Sequence, residues 1–108
     1  MRLEHHPVSS LERDLAAIVG RHVDLSHYRL FFFGSRVAGT STDRSDIDVG
    51  IEGPAEVPPE AMGAIREEIE ELPTLYSIDV VDFWQVSPEF RSVALRHVEQ
   101  ILRGAPND

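Results

Sequence analysis

Apolar positions recur along the chain at helical spacing first and then in strand-like runs. Leu11, Leu15, Ile18, Val19 and His22 fall on one helical stripe, and Ser9 followed by Glu12 has the spacing of a capping box. A first helix is therefore expected from about residue 10 to 22, with His22 as a partly buried packing residue. After the polar break from Asp24 to His27, the run Tyr28 to Phe33 is apolar apart from Arg29 and ends in three phenylalanines. Such a run, bounded by polar residues and Gly34, suits a central strand covered on both faces. Gly34-Ser35 closes it, and Arg36-Val37-Ala38 can form one or two helical turns before Gly39 and the polar loop from Thr40 to Ser45. From Asp46 to Ile51 the pattern alternates. Asp46, Asp48 and Gly50 point one way and Ile47, Val49 and Ile51 the other, so one face serves the core and the other is left for chemistry.

Gly53, Pro54, Pro58 and Pro59 mark a connection, after which Met62, Ile65, Ile69 and Leu72 recur at helical spacing until Pro73. Glu60, Glu67, Glu68, Glu70 and Glu71 mostly fall off that stripe, as a solvated face does, or as a surface offered to a basic partner would. Tyr76 to Phe83 reads as a third strand, β-branched but carrying Asp79 and Asp82. Ser87-Pro88 has the form of an N-cap followed by proline at the first helical position. Phe90, Ala94, His97, Val98 and Ile101 would then line a last helix, ended by Gly104 and Pro106. The expected order is helix, strand, short helix, strand, helix, strand, helix.

Length and charge narrow the possible chemistry. The 108 residues suit one domain, residues 1–108, with a single core and no room for a separate substrate-binding domain. A formal charge of −9 repels the phosphate backbone that dominates nucleic-acid affinity, so general RNA or DNA binding is not expected. A basic partner, a cation or a nucleotide carried with magnesium stays compatible. Without cysteine there is no thiolate metal site and no thiol catalysis, and no apolar run has the length of a membrane span or a signal peptide, so a cytoplasmic location is expected. His5 and His6, in a polar N-terminal stretch, read as solvated.

Asp46 and Asp48 project from one face of an otherwise hydrophobic strand, where like charges repel unless a cation lies between them. Magnesium, a hard ion that takes carboxylate and phosphate oxygens, answers that arrangement. Asp-x-Asp alone is a common pattern with little specificity. What raises it is the turn upstream: Gly34 permits close backbone approach, Ser35 supplies a hydroxyl, and the amides that begin the following helix face a bound phosphate. Arg44 stands just before the aspartates, within reach of a phosphate or of Asp43 or Asp46.

With these residues in place, GSRVAGTSTDRSDIDVGI resembles the signature of the minimal nucleotidyltransferases within the DNA polymerase beta-like nucleotidyltransferase superfamily. Gly34, Ser35, Asp46 and Asp48 match its Gly-Ser and Asp-x-Asp positions, and Gly39 and Ser45 fit the spacer. The resemblance runs over essentially the full chain. It implies a small α+β fold, a mixed α/β arrangement with a central mixed sheet of at least three strands flanked by helices. It also implies a third carboxylate on the next strand. Asp79 and Asp82 lie three apart and face opposite sides there. Asp82 shares the more core-like side with Ile78 and Val80, so Asp79 is the expected third ligand and Asp82 an exposed strand-end or capping residue.

By the same resemblance, Asp46, Asp48 and Asp79 would hold two Mg2+ ions against the triphosphate of ATP. Asp79 would also take the proton of the attacking hydroxyl, and Gly34, Ser35 and Arg36 would bind the departing phosphates. The family includes MntA-like antitoxins of type VII toxin-antitoxin pairs, which transfer AMP to a tyrosine of a HEPN-type ribonuclease toxin. A cognate HEPN-type toxin, held in a hetero-oligomer, is accordingly the implied partner and acceptor. Two other readings remain open from sequence: an antitoxin that acts by complex formation alone, and a small-molecule nucleotidyltransferase. A template-independent polymerase is disfavoured by charge and size.

Overall fold

The computed structural model describes residues 1–42 and 44–102. Its first helix, α1 (Val8–Gly20), buries Leu11, Leu15, Ile18 and Val19, the stripe expected from the periodicity. The helix begins earlier than the capping-box spacing suggests. Pro7 occupies the N-cap with φ −64°, and no side chain caps the helix. The Pro7 carbonyl accepts the Leu11 amide, so the first turn closes around Ser9 instead of starting from it. His22, just beyond the helix, lies with Nε2 2.6 Å from Glu68 Oε2. That contact ties the end of α1 to the acidic helix α3 (Pro59–Glu70), which buries Met62, Ile65 and Ile69.

Four strands make the sheet: β1 (Arg29–Phe33), β2 (Ile47–Glu52), β3 (Ile78–Asp82) and β4 (Val98–Leu102), in the order β3-β2-β1-β4. β1 runs antiparallel to β2 and β4, whereas β2 and β3 are parallel, so the sheet is mixed as expected. The fourth strand corrects the sequence reading. The last helix, α4 (Pro88–Ala94), stops early, and Val98 and Ile101 lie on a strand. Without β4, one whole edge of the buried strand β1 would leave its N–H and C=O groups unpaired, and pairing them outweighs any helical tendency of this segment. Gly104 and Pro106 lie outside the described residues.

The two sheet faces differ. Leu30 and Phe32 of β1, with Ile47, Val49, Ile51 and Val80, join the stripes of α1 and α3 in the main core. Phe31 and Phe33 point the other way and cluster with Phe83 and Ala94 of α4. Because β3 and β4 sit at opposite edges, the chain between them must cross this second face, which brings α4 onto it. Gly50 makes the crossing possible. A Cβ there would stand 2.5 Å from the Phe31 ring and 2.7 Å from Phe83. In its absence Phe31 and Phe83 meet edge to face, with ring centroids 5.0 Å apart.

The Ser87 hydroxyl caps α4 by accepting the Phe90 amide, with Pro88 at the first helical position as the sequence suggests. Arg91 then anchors the helix to the sheet, its guanidinium 2.7 Å from Glu52, which Arg29 also pairs. Burial opposes ionisation of Glu52, but hydrogen bonds from Arg91 and Arg29 outweigh it and hold the carboxyl below the ordinary glutamate value of 4.5. A depressed carboxylate pKa stabilises the fold above that value and loses the contribution as pH falls through the lower, folded one. Glu52→Gln is therefore expected to cost about 1 kcal/mol at neutral pH. Denaturant unfolding should show the difference from wild type shrinking below pH 4.5. Among the described residues no helix is long and apolar enough to cross a membrane.

Candidate functional site

The carboxylates gather where β1 ends and β2 and β3 begin. In the parallel register Asp48 stands directly beside Asp79, and in the antiparallel one beside Phe33. Register neighbours project from the same face, on strands about 4.8 Å apart. Asp48 is partly buried and Asp79 exposed on the edge strand, while Asp46 lies exposed just ahead of β2. Burial raises the Asp48 carboxyl above its ordinary value of 3.8, and the negative charges of Asp79 and Asp46 push it further the same way.

Against this pair the Gly34 turn is pressed close. Gly34 has φ 85° and ψ −161°, a conformation open essentially to glycine alone. A Cβ built on it would fall 2.2 Å from Asp48 Oδ2. The glycine thus provides both the backbone angle and the space for the carboxylate. From it springs the short helix α2 (Ser35–Ala38), whose first turn closes through the Val37 and Ala38 amides onto the Gly34 carbonyl. Ser35 heads this helix and shares with Gly34, Asp48 and Asp79 a cavity of about 460 Å³.

The same cavity is also lined by Phe90, Val93, Ala94 and His97. Sequence reasoning assigned Phe90, Ala94 and His97 to the packing stripe of a helix and did not single out Val93. Nothing local marks them as lining a site, because only the crossing of α4 over the second sheet face brings them there.

Two candidate residues lie elsewhere. Arg36 donates from Nε to the Ser45 carbonyl at 3.0 Å, and its guanidinium lies 4.9 Å over the Tyr76 ring. It lines a separate cavity with Tyr76 and Thr42, apart from Ser35 and the carboxylates. Asp82 is only 7% exposed, where an exposed strand end was the expectation. Its Oδ2 accepts the Val57 amide at 2.9 Å and its Oδ1 the Trp84 amide at 3.0 Å. The capping part of that expectation therefore stands, and Asp82 faces away from Asp48. Arg44 is exposed, and Asp43 lies outside the described residues.

Oxygen donors are what a hard divalent cation requires, and a partly buried carboxylate beside a second one, abutted by a glycine cradle, suits such an ion. Among the described residues no group of three His, Asp or Glu side chains is placed to hold a metal ion.

Comparison with known proteins agrees with the geometry. No curated protein matches the sequence. Several solved structures share the fold. A toxin-antitoxin with AMP-PNP is 17% identical with a TM-score of 0.69, covering 85% of this chain and 73% of its own. A MntA-HpeT toxin-antitoxin, altered by Asp-to-Glu changes at two positions, is 15% identical with a TM-score of 0.69 over the same shares. A tri-AMPylated Shewanella oneidensis HEPN toxin in complex with MNT antitoxin gives 14% and 0.65, covering 88% of this chain and 72% of the other. The family described as polymerase beta, nucleotidyltransferase, matches residues 28–105, from β1 through β4. This chain belongs to the polymerase beta nucleotidyltransferase family.

Proposed function

We propose that this chain is a magnesium-dependent nucleotidyltransferase that moves AMP from ATP to a hydroxyl of a protein partner, a tyrosine of a cognate HEPN-type toxin, and so acts as its antitoxin. The observation that carries this reading is the register pairing of Asp48 with Asp79 beneath the Gly34 turn. The solved complexes that share the fold, one with AMP-PNP and one with an AMPylated HEPN toxin, support the choice of nucleotide and partner.

In this reading Asp46, Asp48 and Asp79 are the residues that would hold the magnesium ions. The chemistry such an ion would supply is neutralisation of phosphate charge. Ser35 and the backbone at Gly34 donate hydrogen bonds to the terminal phosphates. Asp79 accepts the proton of the acceptor hydroxyl as its oxygen bonds to the α-phosphorus and the bond to the bridging oxygen breaks. Arg36 holds the Ser45 carbonyl, and with it the loop that leads into Asp46.

The test is a labelling reaction. Incubated with magnesium, ATP labelled on the α-phosphate and the small helical protein encoded beside it, the chain is expected to label that protein and to raise its mass by whole AMP units. Suppression of the neighbour's toxicity with no label transferred would replace this reading with inhibition by complex formation.

A further inference from the structure

The cavity has two chemically unlike walls. One carries Gly34, Ser35, Asp48 and Asp79, and the other is formed by Phe90, Val93, Ala94 and His97. Resting on the transferase reading above, we infer that the α4 wall seats the nucleobase by stacking on Phe90. The site then takes purine nucleoside triphosphates in preference to pyrimidine ones, with little discrimination between adenine and guanine.

The triphosphate belongs at the polar wall, which leaves base and sugar for the apolar one. About 460 Å³ is within the usual range for a small-molecule site. On this wall Phe90 is 45% and Val93 60% exposed, an apolar surface that gains from being covered. Phe90 is nevertheless held in place. Its ring stands edge to face on Phe33, with centroids 6.1 Å apart at 81°, and is tilted against Phe83 at 6.0 Å. The Ser87 cap and the Arg91–Glu52 pair fix the helix that carries it. A ring already positioned loses little freedom on binding and offers a flat platform.

Stacking accepts any base, because every base has a π-face, and it favours the larger bicyclic purines. Telling adenine from guanine requires fixed donors and acceptors matched to their differing edges. Among the described residues, His97 is the only polar side chain that the segment from Phe90 to His97 gives to the cavity. A single imidazole N–H meets the N7 acceptor that both purines share and pyrimidines lack.

The full chain, with magnesium, would be titrated calorimetrically with ATP, GTP, CTP, UTP and inorganic tripolyphosphate. ATP and GTP are expected to bind alike and about tenfold more tightly than CTP or UTP. Phe90→Leu, which keeps the apolar bulk, is expected to weaken both purine nucleotides about tenfold and leave tripolyphosphate unchanged. Phe90→Tyr, which keeps the ring, should retain the preference. Equal binding of all four nucleotides, or a Phe90→Leu change that moves tripolyphosphate as much as ATP, would overturn the inference. Absence of binding by every probe, tripolyphosphate included, would instead remove the transferase reading and this inference with it.

Discussion

Asp48→Asn is expected to raise the melting temperature of the cation-free protein at neutral pH and to reduce nucleotidyl transfer about 10³-fold. The first effect follows from the surroundings of the carboxylate, and the second from losing a charge proposed to hold the metal. Burial, with the charges of Asp79 and Asp46 beside it, lifts the Asp48 carboxyl above 3.8, so the folded chain binds that proton more tightly than the unfolded chain. A raised pKa means stability that is complete below 3.8 and is lost as pH rises through the folded value. At neutral pH the ionised carboxylate therefore works against the fold, and the neutral amide relieves it. The gain should vanish below pH 3.8, where Asp48 is protonated in both states. Magnesium is expected to raise the melting temperature of wild type and to leave the variant where it was. Thermal unfolding with and without magnesium across this pH range checks both statements, and a variant less stable than wild type at neutral pH would contradict them.

Gly34→Ala should damage the same site from the other side. Its φ of 85° already excludes an ordinary residue, and the added methyl would fall 2.2 Å from Asp48 Oδ2. Either the turn or the carboxylate must move. Backbone strain of this kind costs about 1–3 kcal/mol. Misplacing a catalytic group by an ångström can cost about 10²-fold in rate. Denaturant unfolding and the rate of label transfer are expected to show both losses. A Gly34→Ala protein with wild-type transfer would mean that the close approach of turn and carboxylate serves only packing.

Much of the site was legible in the sequence because its signals are local. Gly34-Ser35 after an apolar run and Asp46-x-Asp48 at the head of an alternating one each state their own geometry. What pairs across distance was not legible. The strand β4 completes a sheet edge whose other member, β1, lies some seventy residues earlier, and Val98 and Ile101 fit a helical stripe as well as a strand. The burial of Asp82 depends on the Val57 amide, a partner set by how the connection before α3 packs. For Arg36 the sequence shows its place beside Ser35 but not its contacts with the Tyr76 ring and the Ser45 carbonyl. Alternation separated Asp79 from Asp82, but only the parallel register of β2 and β3 brings Asp79 next to Asp48.

That register supplies the most direct measurement: α-phosphate transfer by Asp79→Asn and Asp82→Asn, each assayed below its own melting temperature. Loss of about 10²-fold or more in Asp79→Asn is the predicted result. Asp82→Asn, which weakens a buried bond to the Val57 amide, should lower the melting temperature and keep most of the transfer rate. A folded Asp82→Asn protein without activity, alongside an active Asp79→Asn, would contradict the site as built from β2 and β3.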